Sequence, residues 1–282
     1  MKPNLLPRAA LTGRSRLIHC ITNPISINDC ANLVLAMGAQ PIMAEHPGEV
    51  EAITARADAL AVNLGNITDA RLTSIRLSAR YAHAHQIPWV LDCVGVGCSP
   101  LRLDYARSLI QECRPQVVKG NLSEWKTLCG REAGVSGVDL SEADSREQVA
   151  HQLSWLGEFA RRYDTVALVS GPEDLVTDGR QAVLVSNGHP MMARLTGTGC
   201  MLNVLTAVWL SAAPPLTAAF QAAAVLGVCG EQAAGISPGP GSLRTHLLDA
   251  VYNLTDADLA AQVRLTPCPG AGDTFTEQEA AL

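Results

Sequence analysis

Short apolar runs alternate along this chain with stretches of helical character, and this rhythm limits the possible folds more than any other feature. Between two such runs, residues 70–85 have helical character. Strands that alternate with helices form units whose strands run parallel in one sheet, with helices covering its faces. The sequence therefore predicts an α/β fold, with strands at residues 17–21, 41–44, 59–63, 89–94, 117–119 and 166–170.

Other local signals predict where this pattern changes. Ser26 begins an S-x-x-D sequence, which predicts a helix cap before residues 30–37. Asp178-Gly179 separates two apolar runs like a two-residue hairpin turn, which predicts an antiparallel hairpin at the sheet edge. Later residues are predicted to form helices, the second buried against other helices or a partner, at 200–212, 216–234 and 243–254.

No linker or repeat indicates a second domain, so residues 1–282 are interpreted as one domain. Poorly ordered tails are expected at residues 1–14 and 266–282. The second tail contains GAGD, ending at Asp273, which resembles a phosphate-binding motif. It lacks a preceding strand and a following helix, so we interpret it as accidental.

Composition excludes several classes of function. Hydrophobic residues make up 48% of the chain and its formal net charge is −6, so no basic surface is expected for nucleic acid or anionic membrane. The N-terminus has no signal-peptide core and no apolar run is long enough to span a bilayer, which predicts a cytoplasmic protein. The nine cysteines include no C-x-x-C pair, so most are expected to be small buried thiols.

The clearest chemical signal is Thr196-Gly197-Thr198-Gly199-Cys200, which precedes an apolar helix. Glycines allow a ligand to approach the backbone closely, and the free N–H groups at a helix start attract anions. The motif predicts an anion hole for a phosphate. Taken alone, it also fits a helix start without a ligand, because short glycine motifs are weak signals.

With Cys200 where the ribokinase-like superfamily has Asp, this motif resembles that of the hydroxyethylthiazole kinase family. The resemblance covers about residues 17–254, and several motifs in family order are far more specific than one. It continues through HCITN, NDCAN, GAQPIMAE, NLG, LDCVGVG, KGNLSE, GVD, SGPEDLVTDG and GPGS. It implies a ribokinase-like three-layer α/β/α fold, a homotrimer with sites between subunits, and ATP-dependent phosphorylation of 4-methyl-5-(2-hydroxyethyl)thiazole in thiamine salvage.

Matched position by position, the resemblance also implies roles for single residues. Met43 and Gly197 are expected to contact the thiazole alcohol. Asn23, within HCITN, either binds substrate or bonds its own loop. The expected ATP contacts are Lys119, Asn121 and Ser170.

Phosphoryl transfer also requires charge neutralisation, normally with Mg²⁺, which prefers oxygen ligands. Asp92 and Glu124 are therefore predicted to face magnesium, directly or through water. Two departures from the family pattern bear on this centre. Lys119 replaces an Arg, which keeps the charge but loses the bidentate fork, and Cys93 follows Asp92 where the family has Pro.

Cys200 has two possible roles. A helix start lowers a thiol pKa, which predicts some thiolate able to accept the alcohol proton. Alternatively, Cys200 shapes the pocket and the γ-phosphate takes the proton. Three other functions stay open: a kinase for another small alcohol such as hydroxymethylpyrimidine, a lyase that repairs hydrated nicotinamide nucleotides, which would favour Asp at position 200, and a non-catalytic sensor of nucleotide or thiazole.

Overall fold

A computed structural model describes residues 4–131 and 142–268. Within these residues one sheet has the strand order β2-β1-β3-β4-β5-β6-β7-β8-β9. Its strands are β1 Leu17–Ile21, β2 Gln40–Ile42, β3 Ala59–Asn63, β4 Trp89–Asp92, β5 Val117–Asn121, β6 Val166–Ser170, β7 Asp174–Thr177, β8 Ala182–Val185 and β9 Leu265–Cys268. Pairing is parallel from β2 to β6 and antiparallel from β6 to β9.

Helices cover both faces of this sheet. They are α1 Ala9–Thr12, α2 Ile27–Ala36, α3 Val50–Thr54, α4 Asp69–Ala84, α5 Pro100–Cys113, α6 Leu122–Leu128, α7 Glu142–Tyr163, α8 Thr198–Leu210, α9 Pro215–Gly235, α10 Pro240–Asn253 and α11 Asp256–Gln262, with a 3₁₀ helix at Pro190–Arg194. The helices α2 and α8 to α11 share one hydrophobic cluster, and α3 to α7 share a second.

The strands separate these two clusters because successive side chains of a strand point to opposite faces. In β3, Ala59 and Ala61 belong to the first cluster, whereas Leu60 and Val62 belong to the second. Every residue of β3 is buried, as expected for a parallel strand covered on both faces. The predicted three-layer α/β/α fold with an antiparallel edge is confirmed.

The predicted strands and hairpin are present, but the hairpin loop differs from the prediction. Thr177 pairs with Ala182, so four residues connect β7 to β8 instead of two. Asp178 Oδ1 accepts the amides of Arg180 and Gln181, at 2.8 and 2.7 Å. This carboxylate stabilises a longer loop than the Asp-Gly pair alone predicts, because Asp side chains form local turns with the following backbone.

The expected disorder of the tails is wrong for their described parts. Leu11, in α1, is completely buried, and β9 pairs antiparallel with β8 from Leu265 to Cys268. The edge of β8 offers unpaired backbone groups, and β9 satisfies them. Asp273 and the motif GVD at 137–139 lie outside the described residues.

The helix α8 is deeply buried within the first hydrophobic cluster. Residues 201–210 are all buried, and α8 packs against α2, α9, β3 and β4. The neighbouring α9 is buried from Ala218 to Gly230, which confirms the expectation for this apolar helix. Because α8 follows a loop at the carboxyl edge of the sheet, its first turn faces the ends of the parallel strands.

The start of α2 differs from the prediction in one detail. Ser26 holds the N-cap position, but its side chain makes no capping hydrogen bond. Its hydroxyl donates instead to the carbonyl oxygen of Asn23, at 3.3 Å. This bond folds the loop after β1 back on itself, beside the start of α8.

Two further expectations concern the thiols and the membrane. All nine cysteines lie in the described part of the chain and are free, and five of them are buried, as expected for small buried thiols. Among the helices of residues 4–131 and 142–268, none is both long and apolar enough to cross a bilayer.

Candidate active site

The carboxyl ends of the parallel strands bring polar side chains into one row. Asn63 pairs in register with Asp92, and Asp92 pairs with Lys119. At the end of the next strand pair, Asn121 is the partner of Ser170. Open α/β sheets gather functional groups at this edge, so the register of four strands assembles the candidate site.

Three of these side chains form a buried network. Asp92 Oδ2 accepts hydrogen bonds from Lys119 Nζ at 3.0 Å and from Asn63 Nδ2 at 2.9 Å. The side chains of Lys119 and Asp92 are only 4% and 1% exposed. Buried charges require such pairing because removing them from water is costly.

The pKa values of this pair follow from its burial. Burial acts to lower the pKa of the Lys119 ammonium, but the carboxylates of Asp92 and Glu124 outweigh that effect and the pKa is raised. Burial raises the pKa of Asp92, and the hydrogen bonds from Lys119 and Asn63 oppose this shift. Lys119 therefore remains a cation at neutral pH and supplies a positive charge fixed in position.

That positive charge lies beside the first turn of α8. Gly197 has a φ of 93°, and a Cβ there would lie 2.9 Å from Ser26 Cβ, so only glycine fits this position without strain. A Cβ at Gly199 would lie 3.4 Å from Lys119 Nζ. The N–H groups of Thr198, Gly199 and Cys200 precede the first intrahelical donor, Met201. Cation and backbone donors thus converge on one position, as an anion hole requires.

Cys200 lies where this turn meets the buried network. Its Sγ accepts a hydrogen bond from Asn63 Nδ2 at 3.5 Å. Burial raises the pKa of the Cys200 thiol, and bonds to Ser26 and Asn63 oppose the shift without reversing it. Desolvation therefore acts against the partly ionised thiolate that the helix start predicts.

Glu124 and Asn121 form a capping box at the start of α6. Asn121 Oδ1 accepts the Glu124 amide at 2.9 Å, and Glu124 Oε2 accepts the Asn121 amide at 2.7 Å. Glu124 Oε1 accepts the Gly95 amide at 2.9 Å. Burial raises the pKa of Glu124, these two amides oppose the shift, and Asp92 adds to it. Glu124, predicted to face magnesium, and Asn121, predicted to contact ATP, therefore also stabilise the start of α6.

The residues present partly fit a magnesium ion. Asp92 Oδ1 is buried without a hydrogen-bond partner of normal geometry, although the Val94 amide helps to lower the Asp92 pKa. Such an oxygen can accept a bond from a metal-bound water. In residues 4–131 and 142–268, no group of three or more His, Cys, Asp or Glu is arranged to hold a metal. Magnesium usually keeps several of its own waters and takes only one or two carboxylates from a protein.

At the predicted nucleotide edge, formed by Asn121 and Ser170, Ser170 ends β6 and is half-buried. The next amide, that of Gly171, donates to Asp174 Oδ1 at 3.0 Å. Burial raises the pKa of Asp174 to about 6, against opposing effects of this amide and of Lys119. Ser170 thus directly precedes a short turn that the Gly171 amide and Asp174 stabilise.

Two of the three predicted substrate residues, Asn23 and Met43, lie at the other end of the row. Asn23 Oδ1 accepts the Ile25 amide at 3.1 Å, so this side chain does bond its own loop. Its Nδ2 faces Gly65, where a Cβ would lie 2.4 Å away. Met43 is half-buried and packs against the first hydrophobic cluster. Both residues follow the carboxyl ends of strands, β1 and β2, on the side of the sheet opposite to Ser170.

Sequence reasoning did not assign a role to Asn63. Besides its bonds to Asp92 and Cys200, Asn63 accepts the Gly65 amide at 2.8 Å. Its position at the end of an apolar strand was a signal, since the carboxyl ends of strands carry functional groups. What the sequence lacked was the register that puts it between Asp92 and Cys200.

Comparison with known proteins identifies relatives over most of the chain. Residues 9–257 match the model of the Hydroxyethylthiazole kinase family. The chain is 40% identical over 260 residues to "Hydroxyethylthiazole kinase 1" of Clostridium botulinum, which covers 92% of this chain and 98% of that protein. It is 38% identical over 259 residues to "Hydroxyethylthiazole kinase" of Thermoanaerobacter pseudethanolicus, covering 90% and 95%.

Solved structures agree with these sequence relatives. The hydroxyethylthiazole kinase protein from Pyrococcus horikoshii superposes with a TM-score of 0.84 at 29% identity, over 93% of this chain and 97% of that one. Pyridoxal kinase from Staphylococcus aureus, solved with ADP, superposes with a TM-score of 0.61 at 13% identity, over 91% and 100%, which shows a shared fold. With a family model and relatives near 40% identity spanning most of its length, this chain belongs to the hydroxyethylthiazole kinase family.

Proposed function

We propose that this protein transfers the γ-phosphoryl group of ATP to the primary alcohol of 4-methyl-5-(2-hydroxyethyl)thiazole, as a cytoplasmic enzyme of thiamine salvage. One observation carries the proposal: the Lys119 ammonium lies beside the glycine-rich start of α8, 3.4 Å from the position of a Cβ at Gly199. Phosphoryl transfer depends on cations and backbone donors positioned around the transferred group. The names of the relatives support the thiazole alcohol as acceptor.

The anion hole formed by Gly197, Thr198, Gly199 and Cys200 would bind the transferred phosphoryl group. Lys119 adds charge at the same position, and its raised pKa keeps it protonated across the working pH range. Asp92 and Asn63 hold this cation in place. Because these groups are oriented before substrate binds, they need not reorganise during the reaction.

We assign Asp92 and Glu124 to the magnesium that accompanies ATP. Bound magnesium would neutralise charge on the phosphates. Asp92 Oδ1 has no hydrogen-bond partner of normal geometry and can accept from the ion's water shell. Both Glu124 oxygens already accept backbone amides, so Glu124 suits contact through water better than direct ligation.

The raised pKa of Cys200 supports a role in which the thiol does not accept the alcohol proton. A neutral thiol is a weak proton acceptor, so the alcohol proton passes to an oxygen of the γ-phosphate as the new O–P bond forms and ADP leaves. A loose transition state allows this, because it requires little early deprotonation of the alcohol. Cys200 then shapes the pocket and orients Asn63, whose amide donates to its sulfur.

The two ends of the site divide the substrates between them. Met43, Gly197 and Asn23 are assigned to the alcohol. For ATP we assign Lys119, Asn121 and Ser170, and the pairing of Asn121 with Ser170 supports a continuous nucleotide edge.

We also propose a homotrimer with sites between subunits. Large apolar side chains are exposed at Ile25, Ile236 and Tyr252 (73%, 68% and 69%). Ile25 lies two residues after Asn23, so a contact through it would bring a second subunit to the site. Light scattering at micromolar concentration tests the assembly: a monomer with full activity would contradict it.

A substrate panel tests the reaction itself. The purified protein is given ATP and magnesium with the thiazole alcohol, hydroxymethylpyrimidine or ribose, and ADP release is followed with and without EDTA. We expect magnesium-dependent turnover that selects the thiazole. Turnover of another alcohol, or ATP binding without turnover, would contradict the proposed acceptor.

A further inference from the structure

The segment that carries Met43 has no regular secondary structure of its own. The edge strand β2 ends at Ile42, and residues 43–46 form neither helix nor strand. Such a segment lacks the ladder of backbone bonds that holds a strand, so other groups must determine its conformation. The hydrogen bonds to the carbonyl and carboxylate oxygens of this segment identify these groups.

The carbonyl oxygen of Ala44 is held by a buried histidine of β1. His19 Nε2 lies 2.9 Å from this oxygen, and His19 Nδ1 lies 2.9 Å from Thr54 Oγ1. Burial lowers the pKa of His19, so the ring is neutral at physiological pH. A carbonyl only accepts, which assigns a proton to Nε2. The Thr54 hydroxyl beside Nδ1 donates its own proton to the Val50 carbonyl oxygen, at 2.7 Å.

Two side chains of α4 hold the next residue, Glu45. Ser74 Oγ donates to the Glu45 carbonyl oxygen at 2.8 Å. Arg71 Nη1 forms an ion pair with the Glu45 carboxylate, while Arg71 Nη2 donates to the carbonyl oxygen of Thr22 at 2.7 Å. Thr22 directly precedes Asn23, so the guanidinium of Arg71 joins the Asn23 segment to the Met43 segment.

Packing alone does not explain an arginine at this position. The Arg71 side chain is only 4% exposed, and its Nε is buried without a hydrogen-bond partner. Burying a cation with one unpaired donor lowers the stability of the fold, whereas burying an apolar side chain at the same position would not. Arg71 is instead suited to hold two acceptors at once, because its nitrogens form a rigid planar fork.

We infer that Arg71 is a positioning residue for the acceptor alcohol. It acts through Glu45 and Thr22 to hold Met43 and Asn23 at a fixed separation. This inference rests on the proposed function, since it concerns the alcohol side of that site. The described contacts of Arg71 are with the alcohol side and not with the nucleotide edge, so its loss should affect the alcohol and ATP differently.

Steady-state kinetics on three variants test this role. In Arg71→Met the KM for the thiazole alcohol is expected to rise about tenfold, the effect of losing roughly 1.4 kcal/mol of positioning. The KM for ATP and the kcat at saturating alcohol are expected to change by less than about twofold. The lost interaction stabilises the bound alcohol and the transition state equally, so it affects KM and not kcat. Arg71→Lys should recover part of the loss, since an ammonium can reach one of the two acceptors.

The control and a milder variant keep the test decisive. Arg76→Met removes an arginine of the same helix that pairs at the surface with Glu112, and should leave both KM values unchanged. Glu45→Gln removes only the charge at a residue whose side chain is 47% exposed, and should raise the KM for the alcohol alone even if Arg71→Met fails to fold.

The outcomes separate this inference from the proposed function. A wild-type protein that phosphorylates no thiazole alcohol would overturn the proposed function, and the positioning role with it. Wild-type turnover, combined with an unchanged KM for the alcohol in Glu45→Gln and in folded Arg71→Met, would overturn the positioning role alone. Equal increases in both KM values would also overturn it, because they indicate a general structural defect.

Discussion

The proposed phosphate side and the proposed alcohol side of the site are built in different ways. On the phosphate side, Lys119, Asp92 and Asn63 are buried and bond one another through side chains. On the alcohol side, Met43 and Asn23 are only partly buried, and side chains from neighbouring elements hold the backbone of their segments. The first arrangement puts function and stability in the same residues, and the second separates them.

The physical reason for this difference is charge. A fixed cation for a phosphate must be shielded from water to act strongly, and it then needs a buried partner to be tolerated. A neutral heterocycle needs shape, which half-buried side chains on a well-held backbone can supply. Changes on the phosphate side should therefore affect activity and folding together, and changes on the alcohol side should mainly affect KM.

The largest effect is expected from Lys119→Met. Removing the cation should lower kcat/KM by about a thousandfold, and the unpaired Asp92 carboxylate should cost about 3–5 kcal/mol of unfolding free energy. Enzyme assays and urea denaturation measure the two effects. Lys126→Met, a half-buried lysine of α6, is the control. Lys119→Met/Asp92→Asn should regain stability without activity, and recovery of both would contradict the assigned role.

Asn63→Ala should have the next largest effect. It removes the donor to Asp92 and Cys200 and the acceptor of the Gly65 amide. We expect kcat to fall about 10- to 100-fold and stability to fall by about 1–3 kcal/mol. Asn253→Ala, at an exposed helix end, is the matched control. Lost stability with unchanged kcat would restrict Asn63 to a structural role.

Changes at Cys200 should have a smaller effect. If the thiol is neutral and shapes the pocket, Cys200→Ser keeps kcat within about tenfold of the wild type, and its pH profile shows no lost ionisation. Cys200→Asp should keep or raise turnover, since a carboxylate at this position could accept the alcohol proton. Steady-state assays from pH 6 to pH 9 measure both. Complete inactivity of a folded Cys200→Asp protein would contradict this interpretation.

The smallest effect concerns Asp174, at the nucleotide edge. Burial raises its pKa to about 6, so between about pH 4 and pH 6 the folded protein keeps a proton that the unfolded chain releases. This contribution to stability is complete below about pH 4 and is lost as pH rises through 6. Asp174→Asn should remove that loss. The difference in unfolding free energy between the variant and the wild type should therefore be about 1–2 kcal/mol more favourable to the variant at pH 7 than at pH 4.5.

Urea denaturation at the two pH values measures the Asp174 effect. Asparagine can still accept the Gly171 amide, so the local turn should survive the substitution. Asp104→Asn, at an exposed position of α5, is the control and should show no such pH-dependent gain. Equal behaviour of the two variants would contradict the raised pKa of Asp174.

Local signals in the sequence were sufficient to predict the layers and most elements. The strands Leu17–Ile21, Ala59–Asn63 and Val166–Ser170 match their predicted bounds. A buried parallel strand is a short apolar run in the sequence, and polar residues mark where it ends. The glycine-rich start of α8 was also readable, since its backbone demands are local. Predictions failed where partners were distant, as for β9, whose strand depends on the open edge of β8.

The sequence by itself determined the fold class, the family and the chemical types at the site, because apolar periodicity and motif order are written in neighbouring residues. Only the tertiary structure decided that Asn63 joins Asp92 to Cys200, that the Cys200 thiol is desolvated, and that Arg71 connects the loops of Asn23 and Met43. Hydrogen bonds across strands and the desolvation of a thiol depend on which residues become neighbours in space, and that is settled by strand register and helix packing.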